Sequence, residues 1–322
     1  MAVYFLNLKT FGRSGGSSAV SAAAYRAGER IRDERTGRTY DHTDRQDVLH
    51  KEILVPGYLA DSDMSWAKAR SQLWNAAESA ETRRNARVAR EYLVALPVEL
   101  SDEQRFHLVR SFSTELVERY RFALDLTVHA PRDFPGSDPR NFHAHLLATT
   151  REVATQGLAG KTTLEMNDAR RRELGLEPVI QELIFVRERW ANFTNEALRN
   201  ADVEARVDHR TLAAQGIDRE PYPRIPRQAF EMERHGYRSA QAERLRMQYQ
   251  ERVQTRLERD VSRGAELEPE SVGAVQTKPQ SLEEIRRQAR ENWLRLRQES
   301  NRSASNSAAN LQAHVDDDHL SR

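Results

Sequence analysis

The chain has 322 residues, 38% of them hydrophobic and 31% charged, which leaves room for one sizeable core diluted by a charged, helical and partly disordered C-terminal part. It holds no cysteine, which excludes a disulfide framework and a thiolate metal site and fits the cytoplasm. The net charge of +1 announces no global basic field, although arginine supplies all but five of the 50 cations, and its fork suits phosphate.

The opening residues lack an apolar run leading to a small-residue cleavage site, so they do not read as a signal peptide. No stretch approaches the ~18 consecutive apolar residues of a membrane span. Residues 2–9 alternate as a strand, FGRSGGSS reads as a turn, and SAVSAAAYRAGERI as a short alanine-rich helix. KEILV at 51–55 is a second strand, ended by Pro56-Gly57. A helix is expected from about Asp63, with Trp66, Ala69, Leu73, Ala76 and Ala80 as its buried stripe. EYLVAL at 91–96 is a third strand.

Ser101 with Gln104 forms a capping box, and the helix it starts carries Phe106, Val109, Leu116 and Tyr120 inward. FALDLTVH at 122–129 and FHAHLLATT at 142–150 are strands close enough to pair antiparallel across the turn-rich loop 130–141. A helix at 178–200 has Leu183, Val186, Trp190, Phe193 and Ala197 as its seam. The order predicts an α+β fold: a mainly antiparallel five-stranded sheet with helices packed on it, followed by a helical C-terminal extension. The expected boundaries are a first domain over 1–220, a helical extension over 221–262, a linker over 263–281, a helix over 282–299 and a disordered tail over 300–322.

His143 and His145 stand two apart on a strand, so both imidazoles leave the same face. If the loop after His129 closes a hairpin, His129 joins them, and three neutral imidazoles occupy three metal positions with the others open. Ligand type does not name the ion: imidazole suits zinc, copper, iron or nickel, whereas a phosphate-activating site in the cell equally takes magnesium or manganese. GLAGKTT at 157–163 resembles a phosphate-binding loop, but Thr155 stands where the first glycine is required. Arg13 with Gly15 and Gly16 fits either a phosphate-contacting loop or a solvated turn, and Arg26 is counted with them as a DNA contact. Asp208, His209 and Arg210 fit either a DNA-contact cluster or a helix cap.

MAVYFLNLKTFGRSGGSSAVSAAAYRAGERI, HKEILVP, YLVALPVEL, NFHAHLLATTREV and RVDHRTLAAQGIDREP together resemble the MobA/MobL family of plasmid conjugative relaxases over residues 1 to about 220. The resemblance implies the fold of histidine–hydrophobe–histidine (HUH) endonucleases and nicking of one DNA strand at a plasmid transfer origin. It implies that Tyr25, in AAAYRAG, captures the 5′ end covalently. It implies a divalent metal on His129, His143 and His145, with magnesium or manganese expected in the cell and zinc as the alternative.

Some members of the family carry two acidic residues in the third strand. Here Glu91 fills the first place and Leu93 the second, while Asp47 matches an upstream acidic position, so Glu91 and Asp47 are the candidate acids beside the tyrosine and the histidines. Without the family, Tyr25 reads as a packing residue of its helix; Tyr4, Tyr40 and Tyr92 are the other tyrosines considered. The implied partners are single-stranded DNA at the transfer origin, accessory mobilisation proteins and a type IV secretion coupling protein. The implied location is the bacterial cytoplasm, with passage to the recipient cell. The rival readings are a rolling-circle replication initiator of the same chemistry and a non-catalytic DNA-binding scaffold.

Overall fold

Residues 143, 145 and 147 are His, His and Leu, and residues 144, 146 and 148 are Ala, Leu and Ala; an extended chain sends these two sets to opposite sides. In the computed structural model, which describes residues 2–132 and 138–266, this segment is the middle strand of a sheet. The chain begins with β1 (Leu6–Gly12), α1 (Ala19–Ala27), a hairpin of β2 (Arg30–Arg32) and β3 (Thr39–Asp41), and β4 (Val48–Leu54). It continues through α2 (Ser65–Lys68), α3 (Arg70–Ser79), β5 (Arg87–Ala95), α4 (Asp102–Tyr120) and β6 (Phe122–His129). Then come β7 (His143–Ala154), β8 (Gly157–Lys161), α5 (Asp168–Glu173), α6 (Val179–Asn200), α7 (Arg227–Arg234) and α8 (Ala240–Glu266).

The strand order is β1-β5-β7-β6-β4, with β8 paired to β7 as a sixth member and every pairing antiparallel. The fold is therefore α+β, with five strands on one path and helices on both sides. One face carries Tyr92, Val94, Leu124, Leu126, Ala144 and Leu146 and is covered by Val109, Phe112 and Leu116 of α4 and Val186 and Trp190 of α6. The other carries Phe11, Ala89, Ala123 and Leu147 beneath the alanines of α1 and Leu73, Trp74 and Ala77 of α3. The histidines of β7 belong to this second face, beyond the part that the helices cover.

Local signals mark the ends of α1 and the start of α4. Ser101 Oγ accepts from Gln104 N and Gln104 Oε1 accepts from Ser101 N, so the capping box starts α4. Ser18 caps α1 by accepting from Ser21 N. Gly28 ends α1 at φ 60°, and a Cβ there would lie 3.3 Å from Val48 Cγ2, so both backbone and space require glycine.

The structure departs from the sequence expectations in several places. The first strand starts at Leu6 and runs through Phe11 into Gly12, because pairing with β5 sets its bounds. The helix expected from Asp63 is two helices: Ala69 is extended (ψ 103°), and the buried set becomes Leu73, Trp74 and Ala77. The β2–β3 hairpin was not expected, because RIR and TYD are too short and charged to show a strand period. GLAGK forms β8 against β7, and its Lys161 pairs with Glu81 at 2.6 Å, so the glycines serve a hairpin.

By compactness the chain divides into Met1–Gln250 and Glu251–Arg322. Helix α8 continues to Glu266, past the expected end at 262. The expected helix at 282–299 and tail at 300–322, with most of the expected linker, lie outside the described residues.

Beneath the second face, Asp125 of β6 is buried and receives Arg70 through Nε (2.8 Å) and Nη2 (2.9 Å) and Trp74 through Nε1 (2.9 Å). Arg70 and Trp74 are one helical turn apart, so α3 delivers both donors to one carboxylate. Arg70→Ala leaves that carboxylate buried without its cation and is expected to cost about 3–5 kcal/mol. Arg110→Ala, which breaks a solvent-exposed pair with Glu52, is expected to cost below about 1 kcal/mol. Urea unfolding of both variants checks the contrast; equal losses would show that the Asp125 network is not the stronger anchor.

Candidate active site

Register brings the three histidines together. His129 ends β6 directly opposite His143, while His145 stands opposite Thr127 of β6 and Leu93 of β5. Their ring centroids are 4.9 to 5.3 Å apart, and one nitrogen from each lies within 4.8 Å of the others.

Each ring is turned by a hydrogen-bond acceptor on its other nitrogen. His143 Nδ1 donates to Asn141 O (2.9 Å), His145 Nδ1 to Glu91 Oε1 (2.6 Å) and His129 Nε2 to Arg26 O (2.8 Å). These bonds fix the tautomers and leave Nε2 of His143, Nε2 of His145 and Nδ1 of His129 as lone-pair donors.

Burial and then the neighbouring His145 push His129 down to about 3; burial also lowers His143 and His145, in the latter case against Glu91. All three are therefore uncharged at neutral pH, as metal ligands must be. Burial opposes the charge on Glu91, but bonds from His145 and Arg26 (Nε, 2.5 Å) outweigh it and hold its carboxyl down to about 2. Three neutral imidazoles, each oriented from behind, are a donor set that fits a divalent cation with open positions.

Tyr25 lies in the last turn of α1. Its neighbours Ala22, Ala23, Ala24, Arg26 and Ala27 are buried, whereas Tyr25 is 36% exposed. Its hydroxyl oxygen accepts from Arg132 Nη2 at 2.9 Å. Arg45 lies over its ring, 4.3 Å from the centroid, and His42 meets the ring edge-on at 5.2 Å. The next residue along, Arg26, supplies the carbonyl that holds His129, so the C-terminal end of α1 is docked on the histidine cluster.

Asp47 joins the two regions. Its carboxylate accepts from Arg45 (Nε 2.8 Å, Nη2 2.5 Å) and from Arg132 (Nε 3.0 Å), and it stands 4.0 Å from His129 Nδ1. Burial works against its charge, but these arginine bonds prevail and hold it far below the usual carboxylate range. Arg45 Nη2 also donates to His129 Nδ1 at 3.2 Å, a contact that a bound cation would displace.

A sequence profile described as the MobA/MobL family matches residues 17–235. The chain belongs to the MobA/MobL family. It is 34% identical to mobilization protein MobL of Acidithiobacillus ferridurans over 292 residues, covering 85% of this chain and 74% of that one. It is 35% identical to mobilization protein A of Escherichia coli over 254 residues, and 31% identical to a probable conjugal transfer protein TraA of Sinorhizobium fredii over 272. These alignments cover 76% and 79% of this chain but only 32% and 24% of those longer relatives. A solved chain from work on the molecular basis of vancomycin resistance transfer in Staphylococcus aureus superposes with a TM-score of 0.53 at 26% identity, covering 65% of this chain and all of that one.

Within this MobA/MobL chain the other candidates are engaged with the protein itself or stand apart from the histidines. Arg13 follows the far end of β1, roughly 20 Å along the strand from the residue in line with His145. Its guanidinium is taken up by Glu78 (Nη2–Oε2 2.8 Å) and by the carbonyls of Glu78 and Glu81, so it is a structural anchor, not a free phosphate contact. Gly15 and Gly16 form the solvated turn beside it. Arg26 is buried on Glu91 and Ala22 O, so its guanidinium holds Glu91 and is not open to solvent.

Tyr4 donates to Arg187 O, Tyr92 is fully buried, and Tyr40 packs under α1. Asp208 accepts from Arg210 at 2.7 Å as an exposed pair after α6. Sequence reasoning missed Arg45, Arg132 and the Asn141 carbonyl. Arg45 has one local signal, its place two residues before Asp47; among so many arginines nothing marks Arg132.

Glu91→Gln keeps the shape beside His145 but removes the charge. Its affinity for Zn²⁺ or Mn²⁺, read by titration calorimetry, is expected to fall about 10–100-fold, as for other outer partners of ligating histidines. His145→Ala is expected to lose measurable site binding. Unchanged affinity in Glu91→Gln would mean that His145 needs no orientation from behind.

Proposed function

We propose that this chain is a relaxase that nicks one DNA strand at a plasmid transfer origin by transesterification. The carrying observation is that the exposed Tyr25 and the histidine triangle are held together by one helix end, that of α1 on His129. Family membership and relatives named for mobilisation and conjugal transfer support the reading.

In this reading the Tyr25 oxygen attacks the scissile phosphorus, the bond to the 3′ oxygen breaks, and the electron pair and a proton end on that oxygen. The products are a 5′-phosphotyrosine and a free 3′ hydroxyl. The phosphodiester energy is kept, so rejoining needs no nucleotide. A divalent cation on His129, His143 and His145 would supply positive charge to the non-bridging phosphate oxygens and hold the phosphate in line.

Glu91 orients His145, and Asp47, held as a salt-bridged carboxylate, anchors two arginines; neither is suited to take the tyrosine proton. Magnesium or manganese was the expectation from phosphate chemistry in the cell. The all-imidazole donor set weighs toward zinc or another late transition ion.

Tyr25→Phe is expected to abolish the covalent protein–oligonucleotide band on a denaturing gel while changing single-strand affinity less than about threefold. A persisting band would move the nucleophile to another residue. A chelator is expected to stop cleavage reversibly; full activity in excess chelator would remove the cation from the mechanism.

A tyrosine on a sheet face reaches a phosphodiester only in a strand freed from its duplex, so binding should favour single strands. The logarithm of affinity is expected to fall with the logarithm of salt at about −0.7 per phosphate contact. Equal affinity for blunt duplex, or no salt dependence, would contradict this view of the DNA face.

A further inference from the structure

We propose that Arg132 is a catalytic residue that stabilises negative charge on the Tyr25 oxygen both when the tyrosine attacks and when it leaves. The inference rests on the reading of Tyr25 as the nucleophile.

A tyrosine hydroxyl ordinarily ionises near ~10, so at neutral pH the reaction must supply stabilisation for the charge that develops as the proton departs. Arg132 Nη2 is a donor 2.9 Å from that oxygen. A guanidinium keeps its proton under all working conditions, so it acts here as a fixed electrostatic partner and not as an acid.

Its placement is built from three separate segments. Arg132 follows β6, Asp47 precedes β4, and Tyr25 lies on α1. Asp47 takes Arg132 Nε at 3.0 Å and so aims the remaining end of the fork at Tyr25. Arg45, on the same carboxylate, donates through Nη1 to the backbone carbonyl of Tyr25 at 2.7 Å and stacks on the ring. Two guanidiniums against one carboxylate leave an excess of one positive charge beside the phenol oxygen. The Arg45 side chain is 8% exposed and serves to hold the ring; that of Arg132 is 46% exposed and open to solvent.

The step balances without a further reagent. In cleavage the oxygen–phosphorus bond forms, the tyrosine proton passes to solvent, the bond to the 3′ oxygen breaks, and that oxygen keeps the electron pair and takes a proton from solvent. In rejoining the 3′ hydroxyl gives its proton to solvent and its oxygen attacks, the phosphotyrosine bond breaks, and the electron pair returns to the oxygen that Arg132 faces, which then takes up a proton. The same donor therefore serves both directions, and its loss should slow both.

The test uses the full chain, an oligonucleotide that the wild type captures covalently, and single-turnover rates at saturating protein. Arg132→Ala is expected to slow cleavage and rejoining by about 100-fold or more, the size seen for loss of one donor to developing charge. The concentration for half-saturation should change less than about threefold. Arg132→Lys should recover part of the rate.

Placing 3-fluorotyrosine, a more acidic phenol, at position 25 should speed Arg132→Ala about tenfold and the wild type much less. Unchanged rates in Arg132→Ala, a loss confined to half-saturation, or no selective rescue by the fluorinated ring would overturn the proposal. If Tyr25→Phe still forms the adduct, the nucleophile reading itself fails. An adduct that forms equally fast without Arg132 defeats this inference alone.

Discussion

The hydrogen bond from His129 Nε2 to the carbonyl of Arg26 is the contact on which the site depends. It occupies one of the acceptors left over at a helix C-terminus, and it spans 103 positions of sequence. Through it the sheet and α1 agree on one place: the ring is turned so that Nδ1 meets the other imidazoles, and the residue before the carbonyl presents its hydroxyl alongside. The bond is buried, so its geometry is protected from competition with water.

A second constraint comes from the antiparallel register. Pairing β5 with β7 sets Glu91 opposite Leu147, one diagonal step from His145, close enough for the carboxylate to reach Nδ1. Arg26, reaching in from α1, stabilises the charge that this carboxylate must carry in a buried place. The same helix therefore braces two of the three histidines, one through its backbone and one through a side chain. A one-residue slip of β7 would send both imidazoles into the opposite core.

Charge is arranged locally, not globally. A chain of net charge +1 has no long-range field to draw in DNA, and many of its arginines are matched to carboxylates, as at Glu78, Glu91 and Asp125. The arginines that the sequence put forward, Arg13 and Arg26, are among those matched pairs and lie largely buried. Around Tyr25 the matching is incomplete, with Asp47 shared between Arg45 and Arg132. Positive charge in excess at one exposed point is more useful to a phosphate-handling site than a diffuse basic surface.

The sequence by itself determined what depends on short periods. The two-residue spacing of His143 and His145 fixed their common face, Ser101 with Gln104 fixed the start of α4, and the absence of cysteine restricted the site to imidazole and oxygen donors. The family blocks singled out Tyr25 where helical periodicity favoured a packing role, and its 36% exposure sets it apart from the buried residues on either side of it.

Only the tertiary structure decided which distant groups meet: Asp47 with Arg132 across 85 positions, Arg26 with Glu91 across 65, and α1 with the end of β6. It also decided that Arg13 and Arg26 serve the fold while Arg45 and Arg132 attend Tyr25. The physical reason is that local backbone geometry sets the direction of each side chain from its neighbours in sequence. The partner waiting in that direction is set by strand order and helix packing, which bring together residues that no short pattern connects.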